Sequence, residues 1–315
     1  MKSQKTSPAI DVIIPVHDRR QLLAEAVVSV LQQTWTGHIH LFIVEDGLPS
    51  LPESHSGNST EPCANFSFLN SLVQKSQQQI PAQNNRSIYY IRTQQQKGPS
   101  AARNLGARLG NSEFIAFLDS DDLWHTDKIS SQMKVMFEDP NVLWSHTNEA
   151  WFRDSKPVKQ GKKQRKTGGR FLDRAFFRCL ISPSAVVIRR AFWMNHGSFQ
   201  ETFPVGEDFE LWLRLLFHAE IYFHDEPLTI KRAGNWPQLS SRKEIDRFRI
   251  LALHRFCRLY RPEQHPEIPW QHFFESAFEK LEWLIRGAEK YSHPSKQRRY
   301  QSWSAVFNRL RTRAI

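Results

Sequence analysis

The sequence predicts an α/β protein whose central, mostly parallel sheet is flanked by helices and followed by a helical C-terminal extension. The first observation is an alternation of apolar runs and helix-periodic segments: residues 10–15 and 39–44 favour strands, and residues 19–33 between them favour an amphipathic helix. A strand–helix–strand order is typical of a parallel sheet covered by helices. The second observation is that the end of the chain shows helical periodicity alone. We therefore expect a domain of residues 1–240 and an extension of residues 241–315, which is either an appended lobe or a surface for homo-oligomer formation.

The other elements follow in order along the chain. The further predicted strands are residues 87–91, 114–118, 142–146, 183–188, 221–223 and 227–231. The further predicted helices are residues 100–109, 125–137, 207–217, 242–260, 270–291 and 295–311. Two segments interrupt the pattern. Residues 49–86, rich in Ser, Asn, Gln and Pro, are expected to be a surface insertion with a short helix at 66–73, and residues 155–170 to be a basic loop.

Composition excludes several protein classes. The chain has 315 residues, of which 40% are hydrophobic and 12% aromatic, and this suffices for a substantial core. Its three cysteines, Cys63, Cys179 and Cys257, are odd in number and far apart, which argues against a disulfide framework or a zinc site and fits a reducing compartment. No run approaches the roughly 18 apolar residues of a membrane span, and the N-terminus lacks the pattern of a secretory signal. We therefore expect a cytoplasmic protein.

The net charge of +11 is concentrated in two segments, residues 156–166 and 296–313. Such runs are either solvated surfaces or contacts with a polyanion, for which an anionic membrane surface and nucleic acid are the candidates. The segments lack interleaved aromatic residues and match no nucleic-acid motif, so no nucleic-acid partner is expected. Two interpretations therefore remain: a solvated surface, or peripheral contact with the inner face of an anionic membrane.

Carboxylates follow two of the predicted strands. Glu45 and Asp46 end the second strand, and Asp119, Asp121 and Asp122 follow the apolar run FIAFL. Ligands of open α/β sheets bind beyond the carboxyl ends of the strands, so we expect these acids at one edge. Clustered carboxylates raise one another's pKa unless a cation or hydrogen-bond donors neutralise them, and a hard ion such as Mg²⁺ or Mn²⁺ would do so. The alternative, that an Asp merely caps the next helix, explains one acid better than three.

Two further segments contain candidate groups. Residues 97–104, KGPSAARN, open a helix with small residues, which lets an anion approach the helix N-terminus, although a plain helix start fits equally well. Residues 206–214, GEDFELWLR, place Glu207 and Asp208 at the start of another helix. These acids either complement the helix dipole or include a general base, which must stay free of a metal.

In this order and spacing the segments resemble the family 2 glycosyltransferases, whose GT-A fold has a Rossmann-like sheet. The matching segments are residues 10–19 (IDVIIPVHDR), 42–47 (FIVEDG), 98–106 (GPSAARNLG), 114–124 (FIAFLDSDDLW) and 206–214 (GEDFELWLR). The resemblance covers about residues 10–240, apart from the insertion and the basic loop. It implies an inverting transferase that moves a sugar from a nucleotide-sugar donor, expected to be a UDP-sugar, to a hydroxyl of a glycan or lipid-linked acceptor.

The resemblance also implies roles for individual residues. Asp208 would be the catalytic base, and Glu207 would position that base or the acceptor. Asp121 and Asp119 would hold Mg²⁺ or Mn²⁺, with Asp122 in support. The residues that the resemblance assigns to the nucleotide-sugar are Pro15, Val16, His17, Asp46, Lys97, Gly98, Arg103, Asp119, Ser120, Asp121 and Arg232.

Two positions depart from the family pattern. Glu45 stands where Asp is commoner. Many family members also carry a His, in a loop reading roughly R-x-H-x-G-N, that contributes to the metal and diphosphate. Residues 230–240 contain no His, and Arg232 or Asn235 lies near that position. Because Lys231 and Arg232 could neutralise a diphosphate directly, this departure concerns metal affinity more than reaction class.

Three rival interpretations remain at this stage. An apolar strand followed by DxDD also resembles the haloacid-dehalogenase phosphohydrolases, but that family has Thr or Val where Leu123 lies and carries its motif near the N-terminus. A basic binding protein without enzymatic activity would depend on residues 156–166 and not on Asp121 or Asp208. A degenerate transferase would bind the nucleotide-sugar without turning it over.

Overall fold

The computed structural model of the chain describes residues 7–47, 85–236, 238 and 245–314. The strands are β1 (Ile10–Val16), β2 (Ile39–Glu45), β3 (Arg86–Arg92), β4 (Phe114–Phe117), β5 (Leu123–Trp124), β6 (Trp144–Arg153), β7 (Lys156–Val158), β8 (Val186–Arg189) and β9 (Tyr222–Ala233). The helices are α1 (Arg20–Leu31), α2 (Pro99–Leu109), α3 (Lys128–Glu138), α4 (Leu172–Ala175), α5 (Arg190–His196), α6 (Glu207–His218), α7 (Ile245–Leu259), α8 (Trp270–Lys290) and α9 (Pro294–Ala314). Within the described ranges, every predicted strand and helix has a counterpart.

The differences from the predicted elements lie mainly around β6 and β9. The two short strands expected at 221–223 and 227–231 are one strand, β9, whose pairing with β6 shifts register between Thr147 and Glu149. Pro227 falls in the unpaired stretch of this irregularity, where its missing N–H costs no ladder bond. The expected basic loop begins as a hairpin, because β7 folds back on β6.

Short elements and masked ranges account for the other differences. Helices α4 and α5 and strand β5 have between two and seven residues, which is too short for a periodic signal. The helix expected at 66–73, nearly all of the predicted insertion and the predicted boundary at 240 lie outside the described residues.

The sheet runs in the order β3-β2-β1-β4-β8-β6-β9-β5, with β7 attached to β6. Strands β3, β2, β1 and β4 are mutually parallel, as the sequence predicts, whereas the sheet beyond β4 is mixed. Val16 lies opposite Glu45, and Ile13 lies opposite Phe117. The carboxyl ends of β1, β2 and β4 therefore meet at one edge of the sheet.

Both faces of the parallel strands are covered by apolar side chains. Val12 and Ile14 of β1 belong to the cluster on the side of α1 and α3, whereas Ile13 belongs to the cluster on the side of α2 and α6. Successive strand residues point to opposite faces, so a run without polar alternation indicates a strand buried on both sides. This explains why IDVIIPV is almost continuously apolar.

The C-terminal helices share the second of these clusters. Phe256 of α7 and Phe273 of α8 pack against Phe176, with ring centroids 5.4 and 5.2 Å away, and Phe307 of α9 is buried in the same cluster. The backbone carbonyl of Phe176 accepts hydrogen bonds from Ser276 Oγ at 2.6 Å and from Lys280 Nζ at 3.2 Å. Among the described residues, no helix is sufficiently long and apolar to cross a membrane.

One carboxylate within the apolar run of β1 has a structural role. Asp11 is fully buried and accepts hydrogen bonds from Ser112 Oγ at 2.5 Å and Ser112 N at 3.0 Å, and it pairs with Arg190. A Cβ at Gly110 would lie 2.0 Å from its Oδ2, so only glycine fits there. Asp11 thereby fixes the entry to β4 and the start of α5 relative to β1.

Candidate active site

The chain turns sharply after β1, at the edge where the parallel strands end. Pro15 and Val16 are buried in the sheet, whereas His17 is exposed and its Nδ1 lies 2.8 Å from the carbonyl oxygen of Asp46. The Asp46 N–H in turn donates to the carbonyl of Val16 at 2.8 Å. The ends of β1 and β2 are therefore joined by two hydrogen bonds. The contacts of Pro15, Val16 and His17 with a nucleotide-sugar stay predictions.

Asp46 anchors the start of α2. One of its carboxylate oxygens accepts the Lys97 N–H at 2.8 Å and the other accepts the Gly98 N–H at 2.6 Å. Gly98 has φ of +91°, a backbone conformation that L side chains rarely adopt. The glycine is thus required for the loop to present two consecutive N–H groups to Asp46. The predicted contact of Asp46 with a nucleotide base stays a prediction.

Glu45 and Asp46 are adjacent in sequence but serve different partners. The Glu45 carboxylate is 1% exposed and accepts hydrogen bonds from Tyr90 and from Arg92 Nε on β3, the latter at 3.0 Å. Since neighbouring residues in extended backbone point to opposite sides, one acid faces β3 and the other faces α2. The longer Glu side chain therefore reaches an ion pair on β3 and does not join the acids after β4.

The acids after β4 form a compact triad. One carboxylate oxygen from each of Asp119, Asp121 and Asp122 lies within 4.8 Å of those of the other two. Asp122 is the innermost, with 1% exposure, and accepts Ser184 Oγ at 2.5 Å and the Lys231 ammonium. The same serine Oγ also accepts the Asp119 N–H at 3.1 Å. Ser184 therefore fixes the conformation of the turn that carries the triad, in which Ser120 is buried.

The two outer acids remain partly accessible. The Asp119 side chain is 21% exposed and accepts Arg103 NH2 at 2.7 Å, and the Asp121 side chain is 13% exposed and accepts Arg19 NH1 at 2.7 Å. Trp236 Nε1 also donates to Asp121, at 3.2 Å. Asp121 thus has one cationic partner, whereas Asp119 has two, because the Lys231 ammonium lies 3.5 Å from its other carboxylate oxygen.

The charges of the triad depend on its neighbours. Burial raises the pKa of Asp122, and Lys231 opposes that rise. Burial also tends to raise the pKa of Asp119, but the charges and hydrogen bonds of Arg103 and Lys231 outweigh it and bring the pKa down to about 2. For Lys231, burial would lower the pKa, but the facing carboxylates, Asp122 foremost, raise it. Asp119 is therefore an anion and Lys231 a cation at neutral pH.

The donor set fits a hard divalent cation on its outer side. Carboxylate oxygens are the ligands that Mg²⁺ and Mn²⁺ prefer, and Asp119 and Asp121 are the partly exposed acids of the triad. Asp122 is enclosed by Ser184 and Lys231 and faces inward. The residues available to a metal are consequently Asp119 and Asp121, which are the two that the sequence predicts.

Arg103 joins the triad to the start of α6. Its NH2 contacts Asp119 at 2.7 Å, its NH1 contacts Glu207 at 2.8 Å, and its guanidinium lies 5.0 Å from the Phe199 ring centroid. Arg103 and Glu207 are both at most 5% exposed. Burial raises the pKa of Glu207, as does Asp208, while Arg103 opposes the rise. Glu207 is thus a buried ion-pair partner that holds α6 beside the triad.

Asp208 differs from Glu207 in both exposure and partners. It is partly exposed, accepts the Phe209 N–H at 2.7 Å, and lies 3.4 Å from the Cys179 Sγ. Among the residues that the structure describes, no cation forms an ion pair with Asp208. Burial raises the pKa of Cys179, and so does Asp208, so the thiol is protonated and can donate to this carboxylate. Of these two acids, Asp208 is the partly exposed one without a cationic partner among the described residues.

Arg232 lies over the triad turn. Its Nε donates to the Asp121 carbonyl at 2.7 Å, its backbone N–H donates to Asp122 at 3.3 Å, and its NH1 pairs with Glu25 of α1. Arg232, a predicted contact of the nucleotide-sugar, therefore lies beside the acids, although its guanidinium already binds protein groups. Lys97 is exposed at the opposite side of the edge, before α2.

Several residues of the site were not predicted from the sequence. Arg19, Cys179, Ser184 and Trp236 contact the triad or the candidate base from distant parts of the chain. Arg19 ends the segment IDVIIPVHDR, so its position after β1 was the available signal. Nothing in the sequence around Cys179 or Ser184 marks either residue.

The basic loop is less uniform than its composition predicts. Lys166 is 7% exposed, and its ammonium lies 2.9 Å from Glu149 and 2.8 Å from the Leu180 carbonyl oxygen. Glu149 also accepts Ser182 Oγ at 2.5 Å and Trp151 Nε1 at 2.7 Å. Neither interpretation of the basic segment, a solvated surface or a contact with a polyanion, holds at Lys166, because this residue is buried against a carboxylate on β6.

The rest of this loop is a basic hairpin (residues 153–165). Its exposed cations, which form no ion pair with any described residue, are Arg153, Lys156, Lys159, Lys162, Lys163 and Arg165. Asp154 is the only acid within the hairpin. Because Lys166 and Glu149 fix the end of the hairpin, the cations lie on a defined surface.

A sequence model of glycosyltransferase-like family 2 matches residues 73–291. The chain belongs to glycosyltransferase-like family 2. The matched region includes the triad, Arg103 and α6, whereas β1 and β2 precede it.

Individual relatives and a solved structure agree with this family. An uncharacterized glycosyltransferase of Rickettsia felis is 31% identical over 70% of this chain and 32% of its own length. The UDP-Glc:alpha-D-GlcNAc-diphosphoundecaprenol beta-1,3-glucosyltransferase of Escherichia coli is 26% identical over 66% of this chain and 69% of its own. The crystal structure of S. aureus TarS 1–349 in complex with UDP-GlcNAc superposes with a TM-score of 0.59 at 14% identity, covering 96% of this chain and 92% of that chain.

These similarities confirm the predicted GT-A fold with its C-terminal helices. The chain spans about a third of the length of the first Rickettsia relatives that it matches. In this glycosyltransferase-like family 2 protein, the acid triad lies where the sequence predicts it, beyond the carboxyl end of β4.

Proposed function

We propose that the chain transfers a sugar from a nucleotide-sugar, specifically a UDP-sugar, to a hydroxyl of a lipid-linked glycan, with inversion at the anomeric carbon. The observation that carries the proposal is the Arg103 bridge. One guanidinium contacts both Asp119 of the triad and Glu207 of α6, so the two groups of acids lie side by side. One group suits a nucleotide diphosphate with its metal, and the other supplies a base.

The donor side consists of the outer acids and the nearby cations. Asp119 and Asp121 would hold Mg²⁺ or Mn²⁺, which when bound offsets the negative charge of the departing diphosphate. Arg19 and Arg232 flank the same acids and add positive charge at this edge. His17 and Asp46, at the ends of β1 and β2, are the proposed contacts of the ribose and base.

Asp208 accepts the proton of the acceptor hydroxyl in this proposal. Its carboxylate is partly exposed and has no cationic partner among the described residues, whereas Glu207 is held by Arg103. A carboxylate that takes the acceptor proton on the face opposite the leaving diphosphate directs attack from that face. The stereochemical outcome of such an attack is inversion.

The relatives support a UDP-sugar and a lipid-linked acceptor. The E. coli relative is named for UDP-Glc and for an acceptor on diphosphoundecaprenol, and it aligns over 69% of its own length. The TarS structure holds UDP-GlcNAc in a similar fold. We extend both features, the uridine nucleotide and the lipid diphosphate, to this chain.

The test is donor turnover by wild type and by Asp208→Asn. Wild-type protein with Mn²⁺, UDP-Glc or UDP-GlcNAc and an undecaprenyl-diphosphate-linked acceptor should release UDP, and the variant should lose about 10²–10⁴-fold in rate. Nucleotide binding, measured by calorimetry, should be nearly unchanged in the variant. Asp225→Asn, an exposed acid outside the acid groups, is the matched control. Full turnover by Asp208→Asn refutes the base, and UDP binding without turnover by wild type indicates the degenerate transferase.

The basic hairpin would bring the protein to an anionic membrane. Each Lys or Arg near such a surface contributes about 1 kcal/mol, and the attraction weakens with salt. Wild-type protein should sediment with anionic vesicles at low ionic strength and not with vesicles of phosphatidylcholine alone. Replacing Lys156, Lys159, Lys162 and Lys163 by Gln should reduce that binding while leaving turnover of a soluble acceptor intact. No binding of wild type to anionic vesicles at low salt removes this part of the proposal.

A further inference from the structure

The Lys231 ammonium occupies the inner side of the acid triad. Its Nζ donates a hydrogen bond to Asp122 and lies 3.5 Å from Asp119 Oδ2. The nearest carboxylate oxygens of the three acids lie within 4.8 Å of one another, so one positive group already stands among them. The triad is thus not a set of three vacant ligands.

The position of this ammonium is set by the sheet. Lys231 lies on β9, opposite Trp151 of β6, and the preceding residue, Ile230, lies opposite Leu123 of β5. The β5 strand immediately follows the triad turn, so the pairing holds Lys231 against the acids. Its side chain is 27% exposed, and its backbone is held by pairing with β6 and, one residue earlier, with β5. The cation is therefore part of the framework.

We propose that Lys231 is a fixed internal counter-ion that denies Asp122 to a divalent cation and limits the metal to Asp119 and Asp121. The affinity of oxygen-ligand sites for divalent cations increases with the number of charged ligands, and a nearby ammonium repels the metal. The protein alone therefore binds Mn²⁺ weakly, and a nucleotide diphosphate must complete the site. This inference rests on the proposed function only for the diphosphate, since its main test uses Mn²⁺ without nucleotide.

The main experiment is a titration of Mn²⁺ alone, followed by the paramagnetic resonance signal of the free ion. Lys231→Met should bind Mn²⁺ at least about tenfold more tightly than wild type, because the ammonium that repels the metal and pairs with Asp122 and Asp119 is removed. Lys156→Met removes the same charge from the basic hairpin and should match wild type. Unchanged or weaker Mn²⁺ binding by Lys231→Met overturns the inference. Tighter binding by both variants also overturns it, because the effect would then follow net charge.

Two further variants keep the test decisive where Lys231→Met folds poorly. Lys231→Gln keeps a hydrogen-bond donor toward Asp122 without the charge, and it should show the same gain. In the wild-type background, Asp122→Asn should leave the affinity for Mn²⁺ with UDP within about twofold, whereas Asp121→Asn should weaken it at least about tenfold. Equal losses in these two Asn variants would show that Asp122 ligates the metal and would overturn the inference.

The outcomes separate this inference from the proposed function. A gain of Mn²⁺ affinity in Lys231→Met with no sugar transfer by wild type supports the counter-ion and refutes the transferase. Sugar transfer by wild type without tighter Mn²⁺ binding by Lys231→Met supports the transferase and refutes the counter-ion.

Discussion

Replacing Arg103 by Met tests how strongly the triad and α6 are held together. The side chain is 4% exposed and forms two ion pairs, to Asp119 at 2.7 Å and to Glu207 at 2.8 Å. Methionine keeps much of the apolar volume against Phe199 but removes the charge. The variant therefore leaves two carboxylates of low exposure without their shared cation.

The expected loss of stability follows from the pKa of Asp119. The fall from its ordinary value of 3.8 to about 2 corresponds to roughly 2–3 kcal/mol at neutral pH, because a tenfold change in proton affinity is worth about 1.4 kcal/mol. Lys231 accounts for part of this free energy, but the variant also leaves the buried carboxylate of Glu207 without its cation. Breaking a buried pair by removing one partner typically costs about 3–5 kcal/mol, and we expect a loss in that range at about pH 7.

The pH dependence of the free energy of unfolding distinguishes the effect of unpaired buried carboxylates from the effect of lost packing. In wild type the contribution of Asp119 is fully present above pH 3.8 and is lost as the pH falls toward about 2. In the variant, burial without Arg103 favours the neutral form of both acids, so protonation relieves the buried charge as the pH falls. The difference in free energy of unfolding between the two proteins should therefore be smaller at acidic than at neutral pH.

The assay is urea unfolding at a series of pH values. Arg108→Met on the same helix is the control, because its 3.7 Å pair with Glu201 is exposed and should contribute less than about 1 kcal/mol. Arg103→Lys, which keeps the charge, should recover part of the loss. A difference that stays constant with pH, or a loss no greater than that of the control, would refute the reasoning.

Three other outcomes are expected. Asp11→Asn should lower the free energy of unfolding by about 2–4 kcal/mol, because it removes the charge from a buried, fully paired carboxylate, and a loss below about 0.5 kcal/mol in urea unfolding would contradict this. Lys166→Met should cost about 3 kcal/mol by the same measurement, whereas the exposed neighbour Lys162→Met should stay within about 0.5 kcal/mol, and equal effects would disprove the buried pair. Cys179 should react with iodoacetamide at least about tenfold more slowly than a free cysteine at about pH 8, since burial and Asp208 raise its pKa, and a normal rate by mass spectrometry would argue against that contact.

The strands and the acids after them could be predicted because their signals are local. An apolar run such as FIAFL leaves little alternative to a buried strand, and the parallel arrangement of β1, β2 and β4 brings their carboxyl ends together. The triad and α6 were therefore predictable as separate groups of acids. Their juxtaposition through Arg103 was not, because it joins residues about a hundred positions apart.

The partners of the acids could not be read from the sequence for a different reason. Nothing in the local sequence distinguishes Lys231 or Lys166, and only the fold places them beside the buried carboxylates of Asp122 and Glu149. Composition predicts the same solvation for Lys162 and Lys166, although one is exposed and the other buried. Glu45 and Asp46 are likewise adjacent acids with different partners, because Glu45 pairs with Arg92 on β3.

The contacts of Phe176 bear on how this protein can be recombined with its relatives. Its ring packs on α7 and α8, its carbonyl binds two side chains of α8, and Cys179, three residues later, contacts Asp208. A chimera that exchanges only the C-terminal helices would therefore create mismatched contacts at Phe176, close in sequence to the thiol beside Asp208. Residues 171–180 should be exchanged together with helices α7 to α9. The unit to be exchanged therefore consists of two separate stretches of sequence.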